Sequence, residues 1–304
     1  MKPQTLNLNG RLLLLNDPLV MGILNVTPDS FYSGSRKQGD KEIHDRIEEI
    51  VSQGGRMVDV GAYSTRPGAE AVDAATEIAR LKPALEILRD EYPDLPISVD
   101  TFRADVARAA VEEYGADMIN DVSGGQIDRS MFSTVASLRV PYILMHMRGT
   151  PETMQQYTEY NDVAVDILDY FIDRVGQLRS LGVNDIILDT GFGFSKTVDQ
   201  NYELMARMEE LNASLQLPLL VGISRKSMIY KYLGGTPHDA LNGTAILNTY
   251  SLLHGADILR VHDVKEAVEC VKLVSKLRNY ERINPSQYVH LSNPDSVMRN
   301  ENMQ

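Results

Sequence analysis

The sequence predicts an α/β protein built as a (β/α)₈ TIM barrel with an N-terminal β-hairpin. Eight short runs rich in Val, Ile and Leu alternate with longer stretches whose apolar residues recur every three or four positions. Such uniformly apolar runs are typical of parallel strands buried on both faces. The length of 304 residues suits one barrel. A dinucleotide-binding open sheet fits less well, because Asn25-Val26-Thr27-Pro28 follows the first run in place of a G-x-G-x-x-G turn.

The hairpin is the first predicted element along the chain. Asn9-Gly10 separates two short apolar-rich runs, and this dipeptide is a strong signal for a two-residue turn. We expect the hairpin to precede the barrel and to cover its bottom. The barrel strands are then predicted at Leu19–Asn25, Met57–Gly61, Ile97–Asp100, Met118–Asp121, Tyr142–His146, Ile186–Asp189, Leu219–Ile223 and Ile258–Val261.

Amphipathic helices are predicted between these strands. Glycines such as Gly115 and Gly182 follow several of them, where a left-handed residue closes a helix. Prolines such as Pro141 and Pro218 stand just before strands and end the preceding helix. The predicted helices are Lys41–Gln53, Ala74–Glu91, Arg103–Glu113, Val163–Leu181, Asn201–Asn212, Ala240–His254 and Val264–Leu277.

Composition limits the classes of function. The net charge of −12 argues against a nucleic-acid backbone as partner. The single cysteine, Cys270, excludes an intrachain disulfide and fits a reducing cytoplasm. We find no secretory signal and no apolar stretch near the roughly 20 residues that cross a bilayer. We therefore expect a cytoplasmic protein without a membrane partner.

No Gly/Ser-rich linker divides the chain, so we predict one domain over residues 1–280. Residues 281–304 are polar, contain Pro285 and Pro294, and show little periodicity. We expect this tail to be loosely ordered.

Polar residues end nearly every predicted strand. In a barrel these ends meet on one rim, where active sites are built. One such residue alone is often a helix cap, but a full rim of them indicates a site. They are Asn25, Asp100, Asn120, Asp121, His146, Asp189, the segment Ser224 to Ser227, and the segment Arg260 to Asp263.

The rim residues divide by chemistry. Asp100, Asn120 and Asp189 offer acceptors, which suit a flat heterocycle that carries N–H groups, and Lys226 can donate to a ring carbonyl or nitrogen. Basic or donor groups at Arg66, Arg260 and His262 suit a phosphate-like anion. We interpret this combination as a pocket for a polar ring joined to a phosphate or diphosphate.

Two long loops belong to the same rim. Val26–Asp40 and Ala62–Ala71 are rich in Gly, Pro, Ser and Thr and show no periodicity. Long loops in a compact domain are often binding loops or lids. We therefore favour a role for both loops in closing the site, over simple surface connections.

Seven segments together resemble the dihydropteroate synthase family of pterin-binding barrels. The resemblance covers roughly residues 18 to 278, and the first segment and SRK are its most specific parts. The segments, in the order in which the family has them, are MGILNVTPDSF, STRPGAE, SVDTFR, INDVSGG, D-x-GFGF, GISRKSM and R-V-HD.

The resemblance implies that 4-aminobenzoate is joined to (7,8-dihydropterin-6-yl)methyl diphosphate, with release of pyrophosphate, in folate biosynthesis. It implies that the pterin ring binds Asp100, Asn120, Asp189 and Lys226. The catalytic residues by the same resemblance are Arg66, Asp100 and Lys226. We expect a dissociative substitution with a cation-like pterin methylene, without a covalent enzyme intermediate.

The resemblance also implies Mg²⁺ as cofactor, with Asn25 as its ligand, and a homodimer. It places the diphosphate against Asn25, Thr65, Arg66, Arg260 and His262. It places the aminobenzoate near Thr65, Pro67, Phe194 and Ser227.

The sequence departs from the family pattern at Ala62-Tyr63, Thr190 and Ser195, none of which is an assigned ligand. His146 is interpreted as a structural residue. A corrinoid-dependent methyltransferase of the same barrel class is the alternative, but it would leave the predicted diphosphate-binding residues unexplained. A paralogue that binds pterin without catalysis would be expected to lose Asn25, Arg66 or Lys226, and all three are present.

Overall fold

The computed structural model describes residues 5–27, 36–63 and 72–281. A two-stranded antiparallel hairpin comes first and is followed by a closed parallel barrel of eight strands, with helices between consecutive strands. The strands are β1 (Thr5–Leu8), β2 (Arg11–Leu14), β3 (Leu19–Asn25), β4 (Met57–Gly61), β5 (Ile97–Asp100), β6 (Met118–Asp121), β7 (Tyr142–Met145), β8 (Ile186–Asp189), β9 (Leu219–Val221) and β10 (Ile258–Val261).

The helices cover the outside of the barrel, and the buried side chains between helices and strands form the larger apolar core. Short 3₁₀ turns occur at Met154–Gln156 and Pro237–Ala240. Among the described residues, no helix is both long and apolar enough to span a membrane. The helices are α1 (Arg36–Ser52), α2 (Ala74–Glu91), α3 (Ala104–Glu112), α4 (Met131–Leu138), α5 (Val163–Ser180), α6 (Val198–Ala206), α7 (Met208–Leu215), α8 (Ser227–Leu233), α9 (Leu241–Leu253) and α10 (Val264–Glu281).

The barrel closes where β10 pairs with β3. Ile258 lies opposite Leu19 and Val261 opposite Gly22, so every barrel strand has two neighbours and the sheet has no edge. The predicted TIM barrel and its N-terminal hairpin are thereby confirmed. The predicted turn is also present, since Asn9 and Gly10 both have positive φ angles, of 51° and 88°.

The barrel interior changes from apolar to polar along the strand direction. Side chains two residues apart face the same side of a strand. Met57, Met118, Ile187 and Ile258 belong to an apolar cluster at the bottom, which includes Leu6 and Leu8 of the hairpin. Two residues further along the same four strands stand Asp59, Asn120, Asp189 and Arg260. This alternation brings polar groups together above an apolar layer.

Several boundaries differ from the predictions. The stretch Val26–Asp40 is not all loop, because α1 already begins at Arg36. The predicted helix Asn201–Asn212 is divided at Arg207, whose N–H is shared between the carbonyls of Glu203 and Leu204. The short helices α4 and α8 were not predicted, and β7 and β9 end before His146 and Ile223. The last helix extends to Glu281, the first residue of the predicted tail, and the rest of that tail lies outside the described residues.

We expect Leu6→Ala to destabilise the protein by about 2–5 kcal/mol, because it empties a buried site between the hairpin and the barrel floor. Leu6 is 1% exposed, whereas Leu12 on the other strand of the hairpin is 67% exposed. Leu12→Ala is therefore the matched control, with an expected change within about 0.5 kcal/mol. Urea unfolding followed by circular dichroism measures both. Equal effects would show that the hairpin does not plug the barrel.

Candidate active site

The rim residues converge where the strands end. Asn25 ends β3 and Asp100 ends β5, on either side of Gly61 at the end of β4. A Cβ atom on Gly61 would lie 3.6 Å from Asn25 Oδ1 and 3.5 Å from Asp100 Cβ. The glycine therefore leaves the space in which these two side chains stand close together, and a larger residue would crowd it.

A partly buried ion cluster, with a fully buried carboxylate at Asp59, forms the centre of the site. Arg260 Nε donates to Asp59 Oδ2 at 2.6 Å, and Arg260 Nη2 donates to Asp100 Oδ2 at 2.8 Å. Asn120 Nδ2 donates to the same Asp59 oxygen at 3.0 Å. One guanidinium thus joins three strands, β4, β5 and β10, which are distant in sequence. Arg260 is already paired before any anion binds.

Asp59 was missed in the sequence because it lies inside a predicted strand and not at its end. Its carboxylate is fully buried, and the signal was an acidic residue within the apolar run Met57–Gly61. Asp59 Oδ1 and Asn120 Oδ1 are buried acceptors that have no hydrogen-bond partner in the described part of the chain. Buried acceptors of this kind favour a ligand with N–H donors, since unpaired polar atoms are costly.

Burial perturbs the site carboxylates. Desolvation raises the pKa of Asp100 to about 7, although Arg260 opposes this shift. Desolvation also raises the pKa of Asp189, with Lys226 acting in the opposite direction. Asp189 Oδ1 accepts the backbone N–H of Gly191 at 2.8 Å, which fixes its orientation. The acceptors predicted for a heterocycle therefore lie in a poorly hydrated pocket.

Lys226 reaches the site from the segment before α8. Its Nζ donates to the Phe192 carbonyl at 2.5 Å and lies 4.6 Å from the centre of the Phe194 ring. Desolvation lowers the pKa of this lysine to about 8, while Asp189 opposes the shift. Ser227 follows as the half-buried first residue of α8. Phe194 and Lys226 are thus in contact, and Ser227 is the next residue along the chain.

His262 stands next to Arg260 on β10 but differs in charge. Its ring Nδ1 lies 3.2 Å from Ser224 Oγ, which also accepts the His262 backbone N–H at 3.1 Å. Desolvation and then the charge of Arg260 lower the pKa of His262, so the imidazole is neutral at pH 7. It is a hydrogen-bonding group and not a second cation. Its outer side is exposed at the rim.

Arg225 and Asp263 link the two loops on this side. The Arg225 guanidinium binds the Asp263 carboxylate through two hydrogen bonds of 2.8 Å each. Arg225 has a φ angle of 54°, a left-handed conformation that is unusual for a residue with a side chain. The bidentate ion pair holds the segment after β9 against the segment after β10.

Other singled-out residues have structural roles. Asp121 is fully buried, accepts the backbone N–H groups of Ser123 and Gly125, and accepts the hydroxyl of Tyr142 at 2.7 Å. It shapes the turn after β6, and its charge contributes to the raised pKa of Asp100. His146 is also buried, where its Nδ1 contacts Lys196. The predicted residues Thr65, Arg66 and Pro67 lie outside the described residues.

Two of the residues that depart from the family pattern, Tyr63 and Ser195, hydrogen-bond to other residues of the protein. The Tyr63 hydroxyl donates to Glu152 at 3.1 Å, and its ring packs edge-on against Phe102 at 5.0 Å. Ser195 has a left-handed φ of 52°, and its hydroxyl bridges the backbone N–H and carbonyl of Arg148. Thr190 is buried, and its hydroxyl has no partner among the described residues.

A divalent cation would find one protein ligand at the rim and not a cage. Over the described ranges there is no cluster of three or more His, Cys, Asp or Glu side chains that could hold a metal. The amide oxygen of Asn25 is available beside Gly61. This donor set fits Mg²⁺, which retains several waters and is often completed by substrate phosphates, better than it fits Zn²⁺.

We expect Asp100 to titrate near pH 7, well above an ordinary aspartate. Because its folded pKa is raised, its contribution to stability is present at acidic pH and is lost as pH rises to about 7. The carboxylic acid band in infrared spectra, assigned by subtraction of Asp100→Asn, measures the midpoint. Asp59→Asn should lower that midpoint, because a neighbouring negative charge is removed. A midpoint near 4 in the unaltered protein would contradict this prediction.

The sequence and the fold both match known proteins. The family profile described as pterin binding enzyme matches residues 21–262. Dihydropteroate synthase of Synechocystis sp. is 42% identical over 261 residues, which are 85% of this chain and 89% of that protein. Xanthomonas albilineans dihydropteroate synthase with 4-aminobenzoic acid superposes with a TM-score of 0.83 at 35% identity, covering 91% of this chain and 99% of that one.

A second structure of the Xanthomonas albilineans enzyme, in complex with 7,8-dihydropteroate, has a TM-score of 0.78 and 31% identity and covers 90% of this chain and 98% of that one. The matched region contains all eight barrel strands except the first two residues of β3, so the likeness extends over the whole candidate site. This chain belongs to the pterin-binding enzyme family and, within it, to the dihydropteroate synthases.

Proposed function

We propose that the protein is a dihydropteroate synthase of folate biosynthesis. It would condense 4-aminobenzoate with (7,8-dihydropterin-6-yl)methyl diphosphate to give 7,8-dihydropteroate and pyrophosphate. The observation that carries this proposal is the acceptor-rich pocket around Asp59, Asp100, Asn120 and Asp189, with Lys226 as donor. Relatives that bind 4-aminobenzoic acid and 7,8-dihydropteroate support both ends of the reaction.

The pterin ring would lie on the ion cluster. Its ring N–H and amino groups are donors, which suit the unpaired oxygens of Asp59 and Asn120 and the carboxylate of Asp189. Lys226 Nζ, held by the Phe192 carbonyl, can donate to the ring carbonyl or a ring nitrogen. Asp59 is added here to the predicted pterin residues Asp100, Asn120, Asp189 and Lys226.

The diphosphate would lie toward the rim, against Asn25, Arg260 and His262, with Thr65 and Arg66 predicted to complete the site. Arg260 is paired with two aspartates, so it brings a fixed guanidinium to the substrate. His262 is neutral and can donate a hydrogen bond without adding charge. Bound through Asn25 and the phosphate oxygens, Mg²⁺ would neutralise part of the charge on the diphosphate.

The bond changes follow from this arrangement. The C–O bond between the pterin methylene and the diphosphate breaks, and its electron pair leaves with pyrophosphate. Positive charge develops on the methylene and the ring, where the buried Asp100 and Asp189 stabilise it. The amine of 4-aminobenzoate forms the new C–N bond and loses one proton. This weakly basic amine needs no strong base before it attacks. The proposed catalytic residues are Asp100, Arg66 and Lys226.

4-Aminobenzoate would bind beside Phe194 and Ser227, with Thr65 and Pro67 predicted on the other side. The Phe194 ring and the first turn of α8 form an apolar and a polar wall next to Lys226. The second substrate thus lies against the region where the pterin methylene is expected. In this arrangement the amine would lie next to the carbon that it attacks.

We further propose that residues 1–280 act as one domain in a cytoplasmic homodimer. Apolar side chains are exposed on two adjacent helices, with Ile246 and Leu253 on α9 and Leu273 and Leu277 on α10. The two residues are seven positions apart in the first pair and four in the second, so each pair lies on one helix face. Packing against a second copy of the chain would remove this apolar surface from water.

Pyrophosphate release tests the proposed reaction. The purified protein with Mg²⁺ and both substrates should release one pyrophosphate for each dihydropteroate formed, and chelation of the metal should stop turnover. Lys226→Met should reduce kcat/KM by about 100-fold or more, because it removes a buried charged donor from the ring pocket. Lys231→Met, an exposed lysine on α8, is the control and should retain activity. Absence of pyrophosphate release with any divalent metal would refute the proposed function.

Light scattering after gel filtration tests the assembly. The unaltered protein should have twice the chain mass of 33.9 kDa. Leu273→Glu combined with Leu277→Glu should give the monomer mass, since it places charge on the proposed interface. Leu181→Glu, an exposed apolar residue at the end of α5, is the control and should leave the mass unchanged. A monomeric unaltered protein would exclude the dimer.

A further inference from the structure

Lys196 is a buried lysine that the proposed reaction does not use. Its side chain is 4% exposed. Its Nζ donates to the carbonyls of Gly191 and Phe194 at 3.0 Å each and lies 3.2 Å from His146 Nδ1. These three acceptors match the three N–H donors of an ammonium group. No carboxylate accepts a hydrogen bond from it among the described residues, and a buried ammonium without one is costly to keep.

The acceptors of Lys196 belong to a turn with unusual backbone geometry. Residues 190–197, here called the β8–α6 turn, contain left-handed φ angles of 67° at Gly191, 83° at Gly193 and 52° at Ser195. A Cβ atom on Gly191 would lie 2.1 Å from the His146 carbonyl, so the turn packs closely on the segment after β7. Such a turn has few hydrogen bonds of regular structure and depends on side chains to hold it.

The outer face of this turn touches the candidate site. The Phe192 carbonyl accepts from Lys226 Nζ, and the Phe194 ring lies over the same atom. Lys196 holds the inner face of the turn through the carbonyls of Gly191 and Phe194. One turn therefore separates two lysines, of which Lys226 faces the pocket and Lys196 faces the protein interior.

His146 completes the support beneath the turn. Its ring is buried and packs edge-on against Tyr170 at 4.9 Å, so its position is fixed by packing. Desolvation and the charge of Lys196 lower the pKa of His146 well below its ordinary value. The ring is therefore neutral, and its Nδ1 can accept a hydrogen bond from Lys196.

We propose that Lys196 and His146 are a positioning pair that shapes the β8–α6 turn, so that Phe194 forms the aminobenzoate wall. Neither residue touches a substrate. The proposal rests on the proposed function for the identity of the second substrate. Loss of the pair should affect the binding of 4-aminobenzoate more than that of the pterin diphosphate, because Asp100, Asn120 and Asp189 lie on strands and not on the turn.

Kinetics of Lys196→Met test this pair. The methionine fills about the same volume but removes the N–H donors. The Phe194 carbonyl and His146 Nδ1 then lose their donor, while the Gly191 carbonyl keeps the backbone N–H of Phe194. We expect the KM for 4-aminobenzoate to rise about tenfold, the equivalent of one hydrogen bond to a charged group. The Kd of the pterin diphosphate should change less than about threefold. Lys231→Met is the control for removal of a lysine charge, and a wild-type KM in Lys196→Met, or equal losses for both substrates, would overturn the proposal.

Two variants of His146 test its contribution to the positioning pair. In His146→Asn the amide oxygen can take the place of Nδ1 as acceptor, whereas His146→Leu keeps the bulk without an acceptor. The leucine variant should reproduce most of the Lys196→Met effect on KM, and the asparagine variant should restore a value within about threefold of wild type. Equal kinetics in the two variants would exclude an acceptor role for His146.

Hydrogen exchange provides a readout that does not depend on activity. Amides of the β8–α6 turn should exchange at least about tenfold faster in Lys196→Met and in His146→Leu, whereas amides of β5 and β6 should be unchanged. Unchanged protection of the turn would overturn the positioning role even if the protein proved to catalyse another reaction. Failure of the unaltered protein to release pyrophosphate, with faster exchange in the variants, would refute the proposed function alone.

Discussion

Arg260 stands inside the barrel between Asp59 and Asp100. Neither the positive charge of the guanidinium nor the negative charge of the carboxylates is stable there without its partner. Removing one partner from a buried ion pair costs about 3–5 kcal/mol, because the other charge remains desolvated. The guanidinium connects β10 to β4 and β5, and Asp59 extends the connection to Asn120 on β6. Half of the barrel strands are thus held in register at the height of the site, and the positions of the other site groups depend on that register.

The same interior explains why the charges can exist at all. Their floor is the apolar cluster around Met57, Met118 and Ile258, sealed from below by the hairpin. The side chains beneath the cluster are apolar and buried, so the electrostatic interactions within it are strong and desolvation raises the pKa of Asp100. A pocket of this kind is prepared to stabilise a developing positive charge, because its dipoles and carboxylates are fixed before substrate arrives. Stability of the floor and chemistry at the rim are therefore coupled.

The sequence allowed the barrel and most strand positions to be predicted, because buried parallel strands are uniform apolar runs with clear ends. Helix Ala74–Glu91 matches its prediction at both ends, whereas α4 and α8 have fewer than nine residues each and leave too short a periodic signal. The site residues at strand ends could be predicted in the same way. Asp59 was not, because an acidic residue within a strand lacks that positional signal. Its bond to Arg260 joins residues 201 positions apart, which only the closed barrel brings together.

Barrel closure has a consequence for how the chain is made. β3, near the beginning of the described chain, pairs on one side with β10, whose residues are Ile258–Val261. During synthesis the seam between β3 and β10 cannot form until the last strand is made. Until then, the inward-facing side chains of the early strands and the hairpin leucines that pack with Ile258 lack these contacts. Contacts between segments so distant in sequence form slowly, and unpaired strands are prone to associate with other chains. The nascent protein thus carries an open sheet edge for most of its time on the ribosome, and the emergence of β10 is the event that removes it.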